Sequence, residues 1–393
     1  MNKLKTDSLR LHEEARGKLE TAIKVPCNTM EDLSLAYSPG VAYPCLEIKE
    51  STNDIYKYTN KGNTVAVITD GSAVLGLGNI GPEAALPVME GKALLFKKFA
   101  NVDAMPICLN TQDTEEIIRT CELLAPSIGG INLEDISAPR CVEIERELSK
   151  RLNIPVFHDD QHGTAIVVLA GLINAMKLTK RNIEDTRVVI SGTGAAGSSI
   201  IKHLYNYGFR NIVAFDATGV LVKKHSDSYD FLKKELLEYV NLQNIEYPSL
   251  KEAMIGSDIF IGVSAADIVS EEMVKSMNKD AIIFAMANPN PEITYEKAKN
   301  AGALIVGTGR SDVPNQVNNI LAFPGLFRGL LDAKATKMDE DIKLAVSIAI
   351  SELVSDEELC CDYVIPNPFD ERVVKAVAGA VVDVCKRKGL IRG

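Results

Sequence analysis

From residue 64 onward, short runs of consecutive apolar and β-branched residues alternate with segments whose apolar positions recur at helical spacing. The runs fall at 65–69, 104–109, 131–133, 154–157, 187–191, 211–215, 258–263, 281–287 and 303–306. Alternation of this kind predicts an α/β fold built on parallel sheets. Runs that stay apolar on successive residues are expected where helices cover both faces of a sheet. The ends of the chain differ. Helix-period apolar residues run through 9–23, and Ser38-Pro39-Gly40 and Tyr43-Pro44 then break the pattern. The last 75 residues predict two helices, near 339–353 and 371–387, with no strand between them. A helix at 164–176 leads from one α/β block to the next.

Composition narrows the class. The 393 residues are 46% apolar and 24% charged, ordinary for a globular chain. That length favours more than one domain. A net charge of −10 opposes binding to nucleic acid, which needs a basic face. The eight cysteines include no CxxC pair, which predicts free thiols and a cytoplasmic protein rather than a zinc site or a disulfide framework. The N-terminus has no signal-peptide core, and the longest nearly uncharged run, 163–176, is short for a bilayer, so no membrane partner is expected.

The strongest motif is Gly192-Thr193-Gly194-Ala195-Ala196-Gly197. It follows the apolar run at 187–191, opens a helical segment at 198–205, and precedes a strand that ends in Asp216. In that context GxGxxG is the dinucleotide fingerprint: the glycines allow a tight turn and a close approach of pyrophosphate to the helix start, and the acid accepts from the adenosine ribose. Asp216 repels a 2′-phosphate and Ala217 and Thr218 offer no arginine, which favours NAD over NADP; Lys223 and Lys224 could loop back and weaken that preference. A second match, Gly76 to Gly81, is followed directly by Pro82, and the next strand ends in Asn110, without an acid. It reads as a glycine-rich turn that lets backbone approach a ligand.

Two acidic pairs, Glu134-Asp135 and Asp159-Asp160, lie just past predicted strands. Clustered hard oxygen donors suit Mg²⁺ or Mn²⁺. Taken alone, each pair reads more readily as a solvated loop, and Asp159-Asp160 as a cap for the helix that follows. If Glu134 and Asp135 are to reach one metal, the backbone must leave extended geometry there, because successive strand residues face opposite ways.

Together these pieces resemble the malic enzyme family in its short bacterial form. The matching blocks, in family order, are YSPGVA at 37–42, TDGSAVLGLGNIG at 69–81, EGKALLFKKFA at 90–100, INLED at 131–135, FHDDQHGTA at 157–165, GTGAAG at 192–197, ANPNPE at 287–292 and NNILAFPG at 318–325. The resemblance implies oxidative decarboxylation of (S)-malate to pyruvate and CO₂ with NAD(P)⁺ and a divalent metal. It implies Glu134, Asp135 and Asp160 as metal ligands, Lys92 as general base, Tyr37 as general acid and Asp159 as the acid that orients the lysine. Asn288 and Asn319, with Asn318 beside them, are similar to substrate-contacting asparagines; Asn288 also borders the cofactor. A lysine base must be neutral near pH 7, so Lys92 is expected to have a depressed pKa. The family's short forms imply a homodimer, and the segment around Tyr37 could complete a partner's site.

The expected architecture is therefore a Rossmann-type doubly wound parallel sheet at 159–318, with a second α/β metal and substrate domain at 1–158 on which the C-terminal helices of 319–393 pack. Two other functions share the nucleotide fold. A plain 2-hydroxyacid or amino-acid dehydrogenase would leave oxaloacetate undecarboxylated from malate, and a non-catalytic NAD-sensing protein would bind NAD without turnover.

Overall fold

The computed structural model describes residues 3–74 and 76–392; Leu75, inside the 69–81 motif, lies outside the described residues. Among the described residues, ten strands form two sheets. The first contains β1 (Thr64–Thr69), β2 (Asp103–Cys108), β3 (Gly130–Leu133) and β4 (Val156–His158), all parallel, in the order β2-β1-β3-β4. Every residue of β1 and β3 is buried, which is why their sequences are continuously apolar rather than alternating.

The second sheet contains β5 (Arg187–Ser191), β6 (Asn211–Asp216), β7 (Gly219–Val220), β8 (Ile259–Gly262), β9 (Ile282–Ala285) and β10 (Ile305–Thr308). Its order is β10-β9-β8-β5-β6-β7, parallel except for β7, which turns back on β6. The α/β architecture with a Rossmann-type sheet is thus present, with one unforeseen antiparallel edge. In both sheets the order reverses around the first strand. β1 lies between β2 and β3, and β5 lies between β6 and β8. Crevices beyond the carboxyl ends of strands at such reversals are where open α/β sheets bind ligands.

The helix Thr164–Thr179 is buried at every position from Ala165 to Met176. With the turn before it, the stretch Asp159–Thr179 has 21 residues and contains an 18-residue window of mean hydropathy 1.3, long and apolar enough to cross a membrane by those measures, but 72% of that window is buried inside the protein. The helical stretch is thus longer than the nearly uncharged run at 163–176. It packs against the helices Glu340–Ser351 and Ala195–Tyr207. Asn174 near its end donates from Nδ2 to the carbonyls of Ser351 (2.9 Å) and Val364 (3.0 Å), so both amide hydrogens are satisfied within the core.

A helix not anticipated from sequence, Phe323–Asp332, carries Pro324 in its first turn, where a missing N–H costs nothing. Phe323 and Phe327 pack edge-on against Phe96 at 4.8 and 5.3 Å, and Phe327 against Phe157 at 5.9 Å. The helix therefore rests on the helix Pro82–Ala100 and on β4, while its other side meets Arg372–Lys388. At the opposite end of the chain, the helix expected over 9–23 is shorter and earlier, Lys3–Ala15, and stops before Gly17 at φ +98°. No residue from 3 to 60 is buried.

Candidate active site

The carboxyl ends of β3 and β4 point into a cleft of about 1090 Å³ whose far wall is the glycine-rich turn after β5. β3 stops at Leu133. The Glu134 N–H still donates to the Ile68 carbonyl (2.9 Å), and Asp135 then takes a left-handed conformation, φ +53°. The chain leaves extended geometry at the point where two adjacent acids must face the same way. After β4, residues Asp159–Gly163 form a single π-turn that runs into the helix Thr164–Thr179. Such turns are wider than an α-helical turn and gather at functional sites. The acidic pair thus lies within the turn; it is not a side-chain cap.

These turns bring one carboxylate oxygen each from Glu134, Asp135 and Asp160 within 4.8 Å of one another. Glu134 and Asp135 are buried. The Asp160 carboxylate also accepts the Asp135 N–H at 2.8 Å, which locks the two turns together. Burial pushes the Glu134 carboxyl well above its ordinary range; Lys92 pulls it back, and the charges of Asp160, Asp159 and Asp135 push it further up. Three converging hard oxygens with too little positive charge beside them are a donor set that fits Mg²⁺ or Mn²⁺.

Lys92 lies on the helix Pro82–Ala100 and is buried. Its Nζ sits 2.5 Å from Asp159 Oδ2, 2.9 Å from Glu134 Oε1 and 4.2 Å from the centre of the Phe323 ring. Burial alone would lower its pKa, but Asp159 and Glu134 outweigh burial and the net shift is upward. The depressed pKa expected of this lysine is therefore not what the ion pairs produce: in this arrangement it is an ammonium. Asp159, fully buried, is also hydrogen-bonded by the Asn319 side-chain amide. Gly163 makes room for it, since a Cβ there would lie 2.1 Å from Asp159 Oδ1.

Asn288, on the loop after β9, and Asn318 and Asn319, ahead of the helix Phe323–Asp332, line the same cleft. Asn318 caps the short turn Asn319–Leu321 by accepting the Ile320 N–H at 3.0 Å. Tyr37 is not brought to this cleft. It ends the helix Met30–Ala36 on the N-terminal arm, 68% exposed.

The fingerprint glycines divide their work. Gly192 has φ +110° and a Cβ on it would lie 2.6 Å from the Val263 carbonyl, while a Cβ on Gly197 would lie 1.9 Å from the Gly192 carbonyl. Those two fix the turn and seat the helix Ala195–Tyr207 on it. Gly194 has nothing within 4 Å of its Cβ direction, leaving open the space a pyrophosphate needs. Thr193 is buried in the turn, and Ala195 and Ala196 face the cleft. Asp216 ends β6, and its carboxylate is held by Thr218 (N 2.7 Å, Oγ1 2.6 Å) and by Lys233 Nζ at 2.5 Å. The second glycine match does something else: a Cβ on Gly76 would lie 2.4 Å from the Asn288 carbonyl. Its backbone approaches another loop of the protein, as well as lining the cleft.

Three further residues support the site, and two of them, Arg140 and Glu292, carry no signal in the sequence. Arg140 donates to Asp70 Oδ2 (2.7 Å), Ser72 Oγ (3.0 Å) and Ser137 Oγ (3.1 Å), tying the loop after β1 to the loop after β3. Glu292, fully buried, accepts the N–H of Ser264 (2.8 Å) and of Ala287 (3.1 Å) and so braces the Asn288 loop. His162, in the π-turn, meets Glu145 at 2.8 Å and Ser199 at 3.0 Å. Its position two residues after Asp160 was visible, but its partners, 17 and 37 residues away, were not.

Comparison with known proteins agrees with this geometry. Residues 16–149 match the model of the malic enzyme N-terminal domain, and residues 161–386 match that of the malic enzyme NAD binding domain. A bifunctional malic/malolactic enzyme of Bacillus subtilis is 57% identical over 99% of this chain and 95% of its own length. An NAD-dependent malic enzyme of Geobacillus stearothermophilus is 52% identical over 96% of this chain and 78% of its own. The crystal structure of an NAD-dependent malic enzyme from Thermotoga maritima superposes with a TM-score of 0.92 at 47% identity, covering 96% of this chain and 99% of that one. With two family domains spanning most of its length and relatives this similar end to end, the chain belongs to the malic enzyme family.

Proposed function

We propose that this protein oxidises and decarboxylates (S)-malate to pyruvate and CO₂, with NAD⁺ the preferred hydride acceptor, in the cleft between the acidic turns and the glycine-rich turn. The observation that carries the reading is the carboxylate trio of Glu134, Asp135 and Asp160 set beside a buried lysine, facing a dinucleotide turn across one cleft. Residues 1–158 with the C-terminal helices of 319–393 would form the metal and substrate unit, and 159–318 the nucleotide unit. Packing of Phe323 and Phe327 on the Lys92 helix favours that division.

In this reading Glu134, Asp135 and Asp160 hold Mg²⁺ or Mn²⁺. When bound, the cation supplies Lewis acidity that lowers the pKa of the malate hydroxyl and stabilises the enolate left by loss of CO₂. Lys92 accepts the hydroxyl proton at Nζ. It can do so only as a free amine, so the base form requires that Glu134, now paired with it, give its charge to the metal instead. Asp159 keeps Nζ in place throughout, and Asn319 keeps Asp159 in place. Asn288 and Asn318 orient malate from the nucleotide side. Tyr37 protonates the enolate carbon.

Tyr37 is exposed and does not line the cleft of its own chain. We therefore read the active unit as a homodimer, in which each N-terminal arm completes the partner's site. Favouring this are the absence of buried residues from 3 to 60 and the exposure of Leu9, Leu11, Ile23, Leu35, Tyr37 and Tyr43 on that arm. The acidic net charge and the free thiols favour a cytoplasmic enzyme of small metabolites, without nucleic-acid or membrane partners.

Initial rates with malate, NAD⁺ and Mn²⁺ test the reading. NADH and pyruvate should appear together and EDTA should abolish both. Oxaloacetate accumulating in place of pyruvate would mean a plain 2-hydroxyacid dehydrogenase, and NAD⁺ binding without turnover a non-catalytic protein.

A further inference from the structure

One cation in the cleft has no part in the proton transfer or in the nucleotide turn. Among the described residues that line the cleft, the charged ones are Lys18, Lys92, Glu134, Asp135 and Asp160. Lys92 is already committed to Asp159 and Glu134. Lys18 is half-buried, and its Nζ donates to a carbonyl, that of Pro87, at 2.9 Å. Its backbone is clipped to the helix Pro82–Ala100, which carries Lys92. The Lys18 N–H donates to Glu90 Oε2 at 3.0 Å. Gly17 before it has φ +98°, and a Cβ there would lie 3.1 Å from Glu90 Oε1. Pro87 lies five residues before Lys92, about 7.5 Å along the helix axis at 1.5 Å per residue. Between them Val88 and Gly91 line the cleft. Gly91 has nothing within 4 Å of its Cβ direction, so room for a small molecule is left beside the helix there.

We infer that Lys18 is a specificity-determining residue that pairs with the carboxylate of malate destined to leave as CO₂. The inference rests on the malate reading of the cleft. The 2-hydroxyl of malate and the carboxylate next to it can chelate a divalent cation together, so that end belongs at the acidic turns. The other carboxylate then needs a cation of its own in a cleft that already holds three acids. Lys92 cannot serve, because two acids hold its charge and it must lose that charge to act as a base. Asn288, Asn318 and Asn319 are neutral. Lys18 has a flexible four-carbon stem, which lets its ammonium swing from the Pro87 carbonyl to a carboxylate. As the bond to CO₂ breaks, its electron pair passes into the enolate, and the ammonium returns to the carbonyl. Pyruvate, which lacks this carboxylate, is not held. Lys18 thus stabilises bound malate more than the transition state of decarboxylation, and sets affinity for the dicarboxylate rather than the rate of the step.

Calorimetric titration of malate or oxalate into protein loaded with Mn²⁺ and NADH reads binding without turnover, and kcat and KM for malate are measured beside it. Oxalate offers two adjacent carboxylates for chelation and nothing beyond them, so it reports on the acidic turns alone. Lys18→Met should weaken malate about tenfold or more, the usual effect of losing one charged hydrogen bond, and raise KM to match. It should leave kcat and the affinity for oxalate within about twofold, the pattern of lost ground-state binding. Lys18→Arg, which keeps the charge, should bind malate within about threefold of the unaltered protein. Unchanged malate affinity in Lys18→Met, an equal loss of malate and oxalate, or a fall in kcat at constant KM would overturn the assignment and leave Lys18 a support for the Lys92 helix. Failure of the unaltered protein to bind or turn over malate would overturn the malate reading itself, and the assignment with it.

Discussion

Lys92 Nζ lies 2.5 Å from Asp159 Oδ2, with both groups buried, the lysine on the helix Pro82–Ala100 and the acid in the π-turn after β4. The contact depends on a residue without a side chain. Gly163 sits one turn beyond Asp159, where a Cβ would collide with its Oδ1. Gly163→Ala should therefore displace Asp159 and, through it, Lys92. A misplacement of about 1 Å can cost about 100-fold in rate, so kcat should fall steeply while Mn²⁺ binding is kept. Rates and metal binding measured on the same preparation check this; wild-type kcat would contradict it.

The carboxylate trio predicts metal-linked stability. A ligand that binds only the folded state at about 100 times its Kd adds about 2.7 kcal/mol. Saturating Mn²⁺ should raise Tm and EDTA should reverse the rise. Asp135→Asn and Glu134→Gln should lose the shift without losing the fold, since both replacements keep shape and remove crowded negative charge. Thermal scans with and without metal decide it, and a full Mn²⁺ shift in either variant would exclude that residue as a ligand.

Exchange of arms between subunits makes a prediction about mixtures. Tyr37→Phe and Lys92→Ala should each be nearly inactive alone. Unfolded, mixed and refolded together, they should recover roughly a quarter of wild-type activity, because half of the dimers are hybrids and each hybrid holds one intact site. If both residues act within one chain, every site carries a lesion and mixing restores nothing.

Glu145 links the helix Arg140–Arg151 to the π-turn. Burial would raise its carboxyl, but His162 at 2.8 Å and the Lys343 ammonium pull it down to about 2. A depressed carboxyl pKa means that the unfolded chain binds more protons, so this stabilisation is complete above the unfolded value of about 4.5 and is lost as pH falls toward 2. At about 1.4 kcal/mol per pKa unit it is worth on the order of 3 kcal/mol. Denaturant unfolding of Glu145→Gln should show a deficit that is full at pH 6 and shrinks toward pH 3. A deficit independent of pH would place the stabilisation in packing rather than charge.

Much of this fold could be read along the chain because its sheets are buried on both faces, so strands such as Arg187–Ser191 are written as unbroken apolar runs. The fingerprint could be read because its parts are neighbours in sequence. What could not be read depends on distance or on ambiguous local signals. Phe323-Pro324-Gly325 looks like a turn, yet it opens a helix because Pro is tolerated in the first turn and Gly325 packs against Val377, with no room for a Cβ. The charge state of Lys92 is set by acids 42 and 67 residues away, and the charge state of Asp216 by Lys233, 17 residues on. The exposed apolar residues of the N-terminal arm looked like an ordinary amphipathic helix; only the folded chain shows that nothing covers them.

If hydride transfer and decarboxylation occur in one cleft, the stoichiometry of the products must show it. With malate, NAD⁺ and Mn²⁺, one CO₂ and one pyruvate should form for each NADH throughout the time course, with no free oxaloacetate. NADH formed with an equal amount of oxaloacetate, and CO₂ released only later in solution, would contradict it.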